Sequence, residues 1–208
     1  MQSKSIEGML YSALSECYKE PTLKFAEDVI NRNLYNTIEN GFRLLEIPLL
    51  PETLKGIENG YSGRGEEGII EEYCNLKEDY YSLFFPLYVV PVESVYKEWV
   101  DGKNMKGYIM GEPAIEMKKR FNILEIDLPE IYKDTPDHIS LLLEYASLLS
   151  EYLPREGRID FVLNHLDWLD DMRNDVFKYT DSSFYRSVAD ITVAFCEYES
   201  SNLLMLRR

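Results

Sequence analysis

Apolar residues recur along this chain at the three- and four-residue spacing of a buried helix face, not at the two-residue spacing of a strand. Ile6, Met9, Leu10, Ala13, Leu14 and Cys17 make the first such face, which has to end by Pro21. Thr22 then caps a second helix that turns Ala26, Val29, Ile30, Leu34 and Ile38 inward and ends near Gly41, before a segment punctuated by Pro48 and Pro51. From Glu66 the line Ile69, Tyr73, Leu76, Tyr80, Phe84 predicts another helix. The stretch Tyr80 to Tyr96 is dense in aromatics but broken by Pro86 and Pro91, so it reads as a helix end, an extended turn and a new helix start near Glu93 or Ser94. Pro113 opens a further helix through Met117 and Phe121.

The remaining pattern is organised around Asp134 to Leu153. Thr135 reads as an N-cap with Pro136 at the first helical position, where its missing N–H costs nothing. Ile139, Leu142, Leu143, Ala146, Leu149 and Leu153 form one apolar stripe, and Leu141, Tyr145, Leu148 and Tyr152 form a second beside it. Only Ser140, Glu144, Ser147 and Glu151 remain as a polar strip, so this helix should be packed on several sides. Arg155-Glu156-Gly157-Arg158 reads as a turn, and Ile159 to Phe177 as one amphipathic helix. Its Phe161, Val162, Leu166 and Leu169 point inward, with Asp167, Asp170, Asp171 and Asp175 outward as a solvated face. Phe184 to Leu204 is the last helix. With no strand pattern and no repeat, the expected fold is all-α: one domain over residues 1–208, a bundle of about ten helices, with a hinge near 101–111 at Gly102, Gly107 and Gly111.

Charge narrows the choice of partners. Lys and Arg total 22 against 37 Asp and Glu, a net charge of −15 that repels nucleic acid and anionic membrane surfaces and attracts a basic partner. The first twenty residues hold no apolar signal region, and no run reaches the roughly 18 apolar residues of a membrane span, so a cytoplasmic protein is expected. Cys17, Cys74 and Cys196 are isolated, which suits buried thiols in a reducing compartment and predicts neither disulfide nor zinc framework.

Candidate chemistry is sparse. Gly63-Arg64-Gly65-Glu66-Glu67-Gly68 matches GxGxxG, but no strand precedes it and its two glutamates would repel a pyrophosphate, so it reads as a helix–helix linker. Two histidines, His138 and His165, exclude a histidine-rich metal site, and no cofactor is expected. The remaining enzymatic option is a small-molecule or nucleotide hydrolase using Asp137 with His138. Neighbouring helical residues diverge by about 100°, which argues against that pair.

Several segments together resemble the cytoplasmic redox-enzyme maturation chaperones of the TorD, DmsD and NarJ group. They are the Tyr81 to Phe84 run, Pro91-x-x-Ser94-x-Tyr96, Asp134-x-Pro136-Asp137-His138 opening a Leu-rich helix, His165-Leu166 followed by Trp168, and Phe184-Tyr185-Arg186. Asp134 stands where the group usually has Glu, and Ser183 where a proline often precedes Phe-Tyr. The resemblance implies an all-helical, non-enzymatic chaperone for a molybdopterin-containing oxidoreductase. It would hold the enzyme's twin-arginine signal peptide, its immature catalytic subunit, or both, until the cofactor is inserted. An assembly factor of the same fold for a non-exported redox enzyme is the alternative, and the oligomeric state, including a homodimer, stays open. On this reading Tyr80, Phe84, Tyr88 and Tyr96 line an apolar groove, with Ser94 in the same segment. Asp137 with Asp134 receives arginine, and Pro136 and His138 shape the rim.

Overall fold

The computed structural model describes residues 5–48, 51–58, 65–85, 88–97 and 108–206. Eleven α-helices lie among them: α1 (Ile6–Cys17), α2 (Leu23–Ile30), α3 (Asn33–Leu44), α4 (Pro51–Leu54), α5 (Gly65–Phe84), α6 (Glu93–Tyr96), α7 (Glu112–Ile123), α8 (Ile139–Tyr152), α9 (Arg155–His165), α10 (Leu169–Tyr179) and α11 (Ser183–Leu206). Short 3-10 turns follow α4 and precede α8. The described residues contain no strand, only an isolated antiparallel bridge between Val92 and His138. No described helix is long and apolar enough to cross a membrane.

Helix α8 is the centre of the bundle, as its apolar circumference predicts, with Ile139, Leu142, Leu143 and Ala146 fully buried. Its expected polar strip is half consumed by α1: Ser15 donates to the Ser140 carbonyl at 2.9 Å, and Ser147 donates to the Gly8 carbonyl at 2.8 Å. Small residues at this seam let the two helices approach closely. Glu144, further out, pairs with Lys19. On the other side α9 and α11 cover the core, where Tyr11 packs on Phe195 with ring centres 4.6 Å apart.

Four boundaries differ from the sequence expectation, each for a local reason. The expected helix from Thr22 to Gly41 is two helices, because Arg32 takes a left-handed conformation (φ 60°) and places its guanidinium over Tyr35 and against Glu58 at 2.9 Å. The central helix begins at Ile139, not at Pro136. Thr135 to His138 form a turn closed by a His138 N–H to Thr135 carbonyl bond of 3.0 Å, and His138 is the N-cap in place of Thr135. Arg155 to Arg158 are the first turn of α9, entered from Pro154, because their charges are used inside the fold: Arg155 reaches Glu7 at 2.6 Å and Arg158 reaches Glu199 at 2.9 Å. The long helix expected over Ile159–Phe177 breaks at 166–168, where the Trp168 indole N–H donates to the His165 carbonyl at 2.8 Å.

The expected inward residues Phe161, Val162, Leu166 and Leu169 are buried all the same, because the break preserves their side of the core. Asp167, Asp170 and Asp171 are exposed, whereas Asp175 is half-buried. Cys17 and Cys196 are buried thiols, but Cys74 is exposed on α5, whose apolar face it does not share. The Gly63–Gly68 segment is described from Gly65 onward, where it is the first turn of α5 and not a linker. Of the expected hinge, residues 101–107 lie outside the described residues, and Gly111 is the N-cap of α7.

Gly56 is the tightest contact of the 3-10 turn with α11, since a Cβ there would stand 2.0 Å from the Ser183 carbonyl oxygen. Gly56→Ala is therefore expected to cost about 2 to 3 kcal/mol, the range of an overpacked core position, seen as a lower urea midpoint with an unchanged slope.

Candidate functional site

The short helix α6 gathers three segments that are far apart in the chain. Val92 approaches it in extended conformation and bridges His138, the Glu93 N–H donates to the Asp137 carbonyl at 3.1 Å, and the Ile139 N–H donates to the Pro91 carbonyl at 2.9 Å. The Asp137 carboxylate then accepts from both the backbone N–H (2.8 Å) and the hydroxyl (2.5 Å) of Ser94. The Ser94 hydroxyl oxygen in turn accepts from the Gly111 N–H at 3.1 Å, which ties the start of α7 to the same point. From the third segment, His165 meets the Glu93 carboxylate at 2.9 Å and Trp168 stacks on Tyr96 at 5.2 Å. Pro91–Tyr96, Asp134–His138 and His165–Trp168 thus form one knot.

Within the knot Asp137 is fully buried, and burial raises its carboxyl above the usual range against the lowering effect of the Ser94 bonds. Pro136 is buried beside it, whereas Asp134 is exposed. His138 is 8% exposed. Its Nδ1 sits 2.8 Å from the Ser140 hydroxyl and accepts from the Ser140 N–H at 3.2 Å, and its ring lies against Tyr132. Asp137 and His138 therefore face different partners, Ser94 and Ser140. They do not make the acid–base pair on which a hydrolase would depend. Burial lowers the His138 pKa to about 3, so the ring is a neutral helix cap at neutral pH.

This has a signed consequence for stability. The folded-state pKa of His138 lies below its ordinary value of 6.5, so its contribution is intact above pH 6.5 and is lost as pH falls from there toward 3, while the unfolded chain takes up the proton. Wild type is expected to lose about 2 kcal/mol more than His138→Asn between pH 7 and pH 5, since Asn keeps the cap without titrating. Urea midpoints of both proteins at the two pH values check this.

The aromatic candidates divide into buried and exposed members. Phe84 is buried between Tyr80 (5.1 Å) and Tyr185 (5.3 Å), so the Tyr81–Phe84 and Phe184–Arg186 segments also meet. Tyr80 is half-buried, and burial pushes its phenol up to about 12. Tyr96 is 9% exposed, sandwiched by Trp168 and donating to Asp175 at 3.1 Å. Tyr88, 54% exposed, stacks on Tyr179 with ring centres 5.4 Å apart and planes within 10°. Asp171, Asp175 and Tyr179 recur at four-residue intervals on α10, and all three bear electrostatically on the Tyr96 hydroxyl. An acidic helix stripe therefore runs into the exposed Tyr88–Tyr179 pair.

Sequence reading gave Glu93 and Asp175 no part in the site, the first as a helix start and the second in a solvated face, and did not mention Tyr179. Glu93 resembled a helix-start residue, and only its pairing with His165 across the fold reveals its burial. Among the described residues no group of three or more His, Cys, Asp or Glu is placed to hold a metal.

Residues 71–176, a span that contains the whole knot, match the family described as "Nitrate reductase delta subunit". The chain belongs to this family. This bears out the resemblance to the redox-enzyme maturation chaperones. Among curated relatives, a "Chaperone protein TorD" of Vibrio parahaemolyticus is 28% identical over 110 residues, covering 47% of this chain and 51% of the relative. A protein of the same name from Colwellia psychrerythraea is 26% identical over 103 residues, covering 49% and 44%. The chain spans about half the length of the curated relatives it matches. No solved structure matches it.

Proposed function

We propose that this chain is a maturation chaperone for a redox enzyme. It binds the twin-arginine signal peptide of a molybdopterin-containing oxidoreductase, or the immature catalytic subunit, until cofactor insertion is complete. The observation that carries the reading is the similarity to two relatives named as TorD chaperones, together with a family match centred on the knot. Exposed aromatic area beside an acidic stripe suits the reading, because such a leader presents arginines followed by an apolar stretch. The apolar stretch lies on Tyr88 and Tyr179, and an arginine faces Asp134 and the α10 carboxylates. Asp137, Ser94, Pro136 and His138 hold the knot that supports this surface, and Tyr80, Phe84 and Tyr96 back it from inside.

Titration calorimetry against the host's twin-arginine leaders, each with an Arg-Arg to Lys-Lys control, tests the reading. One leader is expected to bind at about micromolar Kd, with a clear loss in its control, and Tyr88→Ala with Tyr179→Ala is expected to weaken it about ten-fold. Silence across the whole panel would sink it. The family's description as a subunit of nitrate reductase fits a redox-enzyme client, and the second reading is an assembly factor whose client carries no export signal. Binding to a client catalytic subunit deprived of its leader would select that one.

A further inference from the structure

Between α6, α7 and α9 lies a cavity of about 170 Å³ lined by Glu93, Lys97, Glu112, Pro113, Glu116, Asn164 and His165. The His165 side chain is 3% exposed, with Nδ1 2.9 Å from the Glu93 carboxylate and its ring stacked on Phe161. Its other nitrogen, Nε2, has no hydrogen-bond partner among the described residues. The nearest carboxylate oxygen, on Glu116, stands 3.5 Å away and already accepts from Arg120 Nε at 3.1 Å and Nη2 at 2.5 Å.

The unfilled capacity of this cavity is that of an acceptor. When Nδ1 carries the proton toward Glu93, Nε2 presents a lone pair. Glu112 and Glu116 add carboxylate oxygens from one side of α7. Lys97, the ammonium in the wall, is occupied by Glu93 at 3.1 Å, Asp167 at 2.8 Å and the Asn164 carbonyl. A complementary ligand is therefore a cation with several N–H donors, small enough for the volume. A planar guanidinium meets an imidazole and two carboxylates with its fork of donors, whereas an ammonium offers a point charge. A metal ion lacks the clustered ligands it needs among the described residues.

We infer that the cavity between α6, α7 and α9 is a receptor for one guanidinium group, the side chain of a client arginine. The inference rests on the client-binding reading above only for the source of that arginine. His165 and Glu93 are followed three residues later by Trp168 and Tyr96, which stack on each other. Glu93 and Tyr96 lie one turn apart on α6, so the cavity adjoins the aromatic stack.

Long-range ¹⁵N–¹H NMR of the His165 ring in the full chain tests this, with His138 as internal reference and N-acetyl-arginine amide and N-acetyl-lysine amide as probes at equal ionic strength. The His165 signals are expected to move along a saturating curve with the arginine probe. The lysine probe, and the arginine probe on Glu112→Gln with Glu116→Gln, should each be about ten-fold weaker, the variant keeping its helical circular dichroism. A doubly protonated ring unmoved by the probes would overturn the inference, since His165 would then be a closed ion pair between Glu93 and Glu116. Equal shifts with both probes would also overturn it, as charge screening. Leader calorimetry on the same variant separates the two proposals. A leader that binds wild type and variant alike, with His165 unmoved, removes the cavity and leaves the chaperone reading intact. An arginine response with no leader bound keeps the cavity and removes the client assignment.

Discussion

Asp137→Ala is expected to lower stability by about 3 kcal/mol, a larger effect than it has on any client contact. The carboxylate accepts both the N–H and the hydroxyl of Ser94 inside a site that excludes water. Removing it strands a backbone donor, at about 1 to 3 kcal/mol, and loses charge-assisted bonds of similar size. In a chain of this length each kcal/mol moves Tm by about 2 to 4 °C, so the midpoint should fall by roughly 6 to 12 °C. Asp137→Asn keeps an acceptor and is expected near wild type. Burial has raised the Asp137 pKa, so stability present below its ordinary value of 3.8 is lost as pH rises through the folded-state value and the carboxyl ionises, and the amide avoids that penalty. Thermal melts of the three proteins decide the matter. An unchanged melt with a ten-fold loss of leader affinity would instead make Asp137 a direct arginine receptor.

Arg158→Met should be at least as damaging, by about 3 to 5 kcal/mol at neutral pH. Arg158 is buried against Glu199 at 2.9 and 3.1 Å and approaches Glu7 at 3.5 Å, while the Tyr11 hydroxyl donates to the same Glu199 oxygen at 3.4 Å. Without the guanidinium, Glu199 is a fully buried carboxylate for which Arg155 is the remaining cation among the described residues. Its pKa is already raised by burial despite Arg158, so the loss in the single variant should shrink on acidification as Glu199 takes up a proton. Arg158→Met combined with Glu199→Leu removes both charges and is expected to recover most of the loss, because the desolvation of the pair goes with it. A double-mutant cycle in urea measures the coupling, and simple additivity would refute it.

These two residues also mark what a sequence can and cannot disclose. The apolar spacing located every long helix, because i, i+3, i+4 patterns depend only on the local chain. It misread Arg155–Arg158 as a turn because three charged residues and a glycine look solvated until Glu7 and Glu199, from opposite ends of the chain, are brought to them. Thr135-Pro136 is a sound helix start by local rules, and tertiary pairing of Glu93 and Ser94 with the turn, and of Ile139 with Pro91, overrode it. The site shows the same division. The segments that compose the knot were visible as motifs, and their mutual contact was not, since no periodicity records that Asp137 faces Ser94 or that Glu93 faces His165. Spacing could place carboxylates and tyrosines in the right neighbourhood without saying which of them, Asp137 and Tyr96 among them, would be covered.

The seam between α1 and α8 has a consequence in time. Residues 6–17 leave the ribosome well before the helix they pack against most extensively, which begins at Ile139. At about 5 to 20 residues per second, the apolar face of α1 waits roughly 6 to 26 s for its partner. A protein proposed to shield the unfinished chain of another therefore begins its own existence with the same exposure, and its yield in a cell should depend on how well that interval is covered.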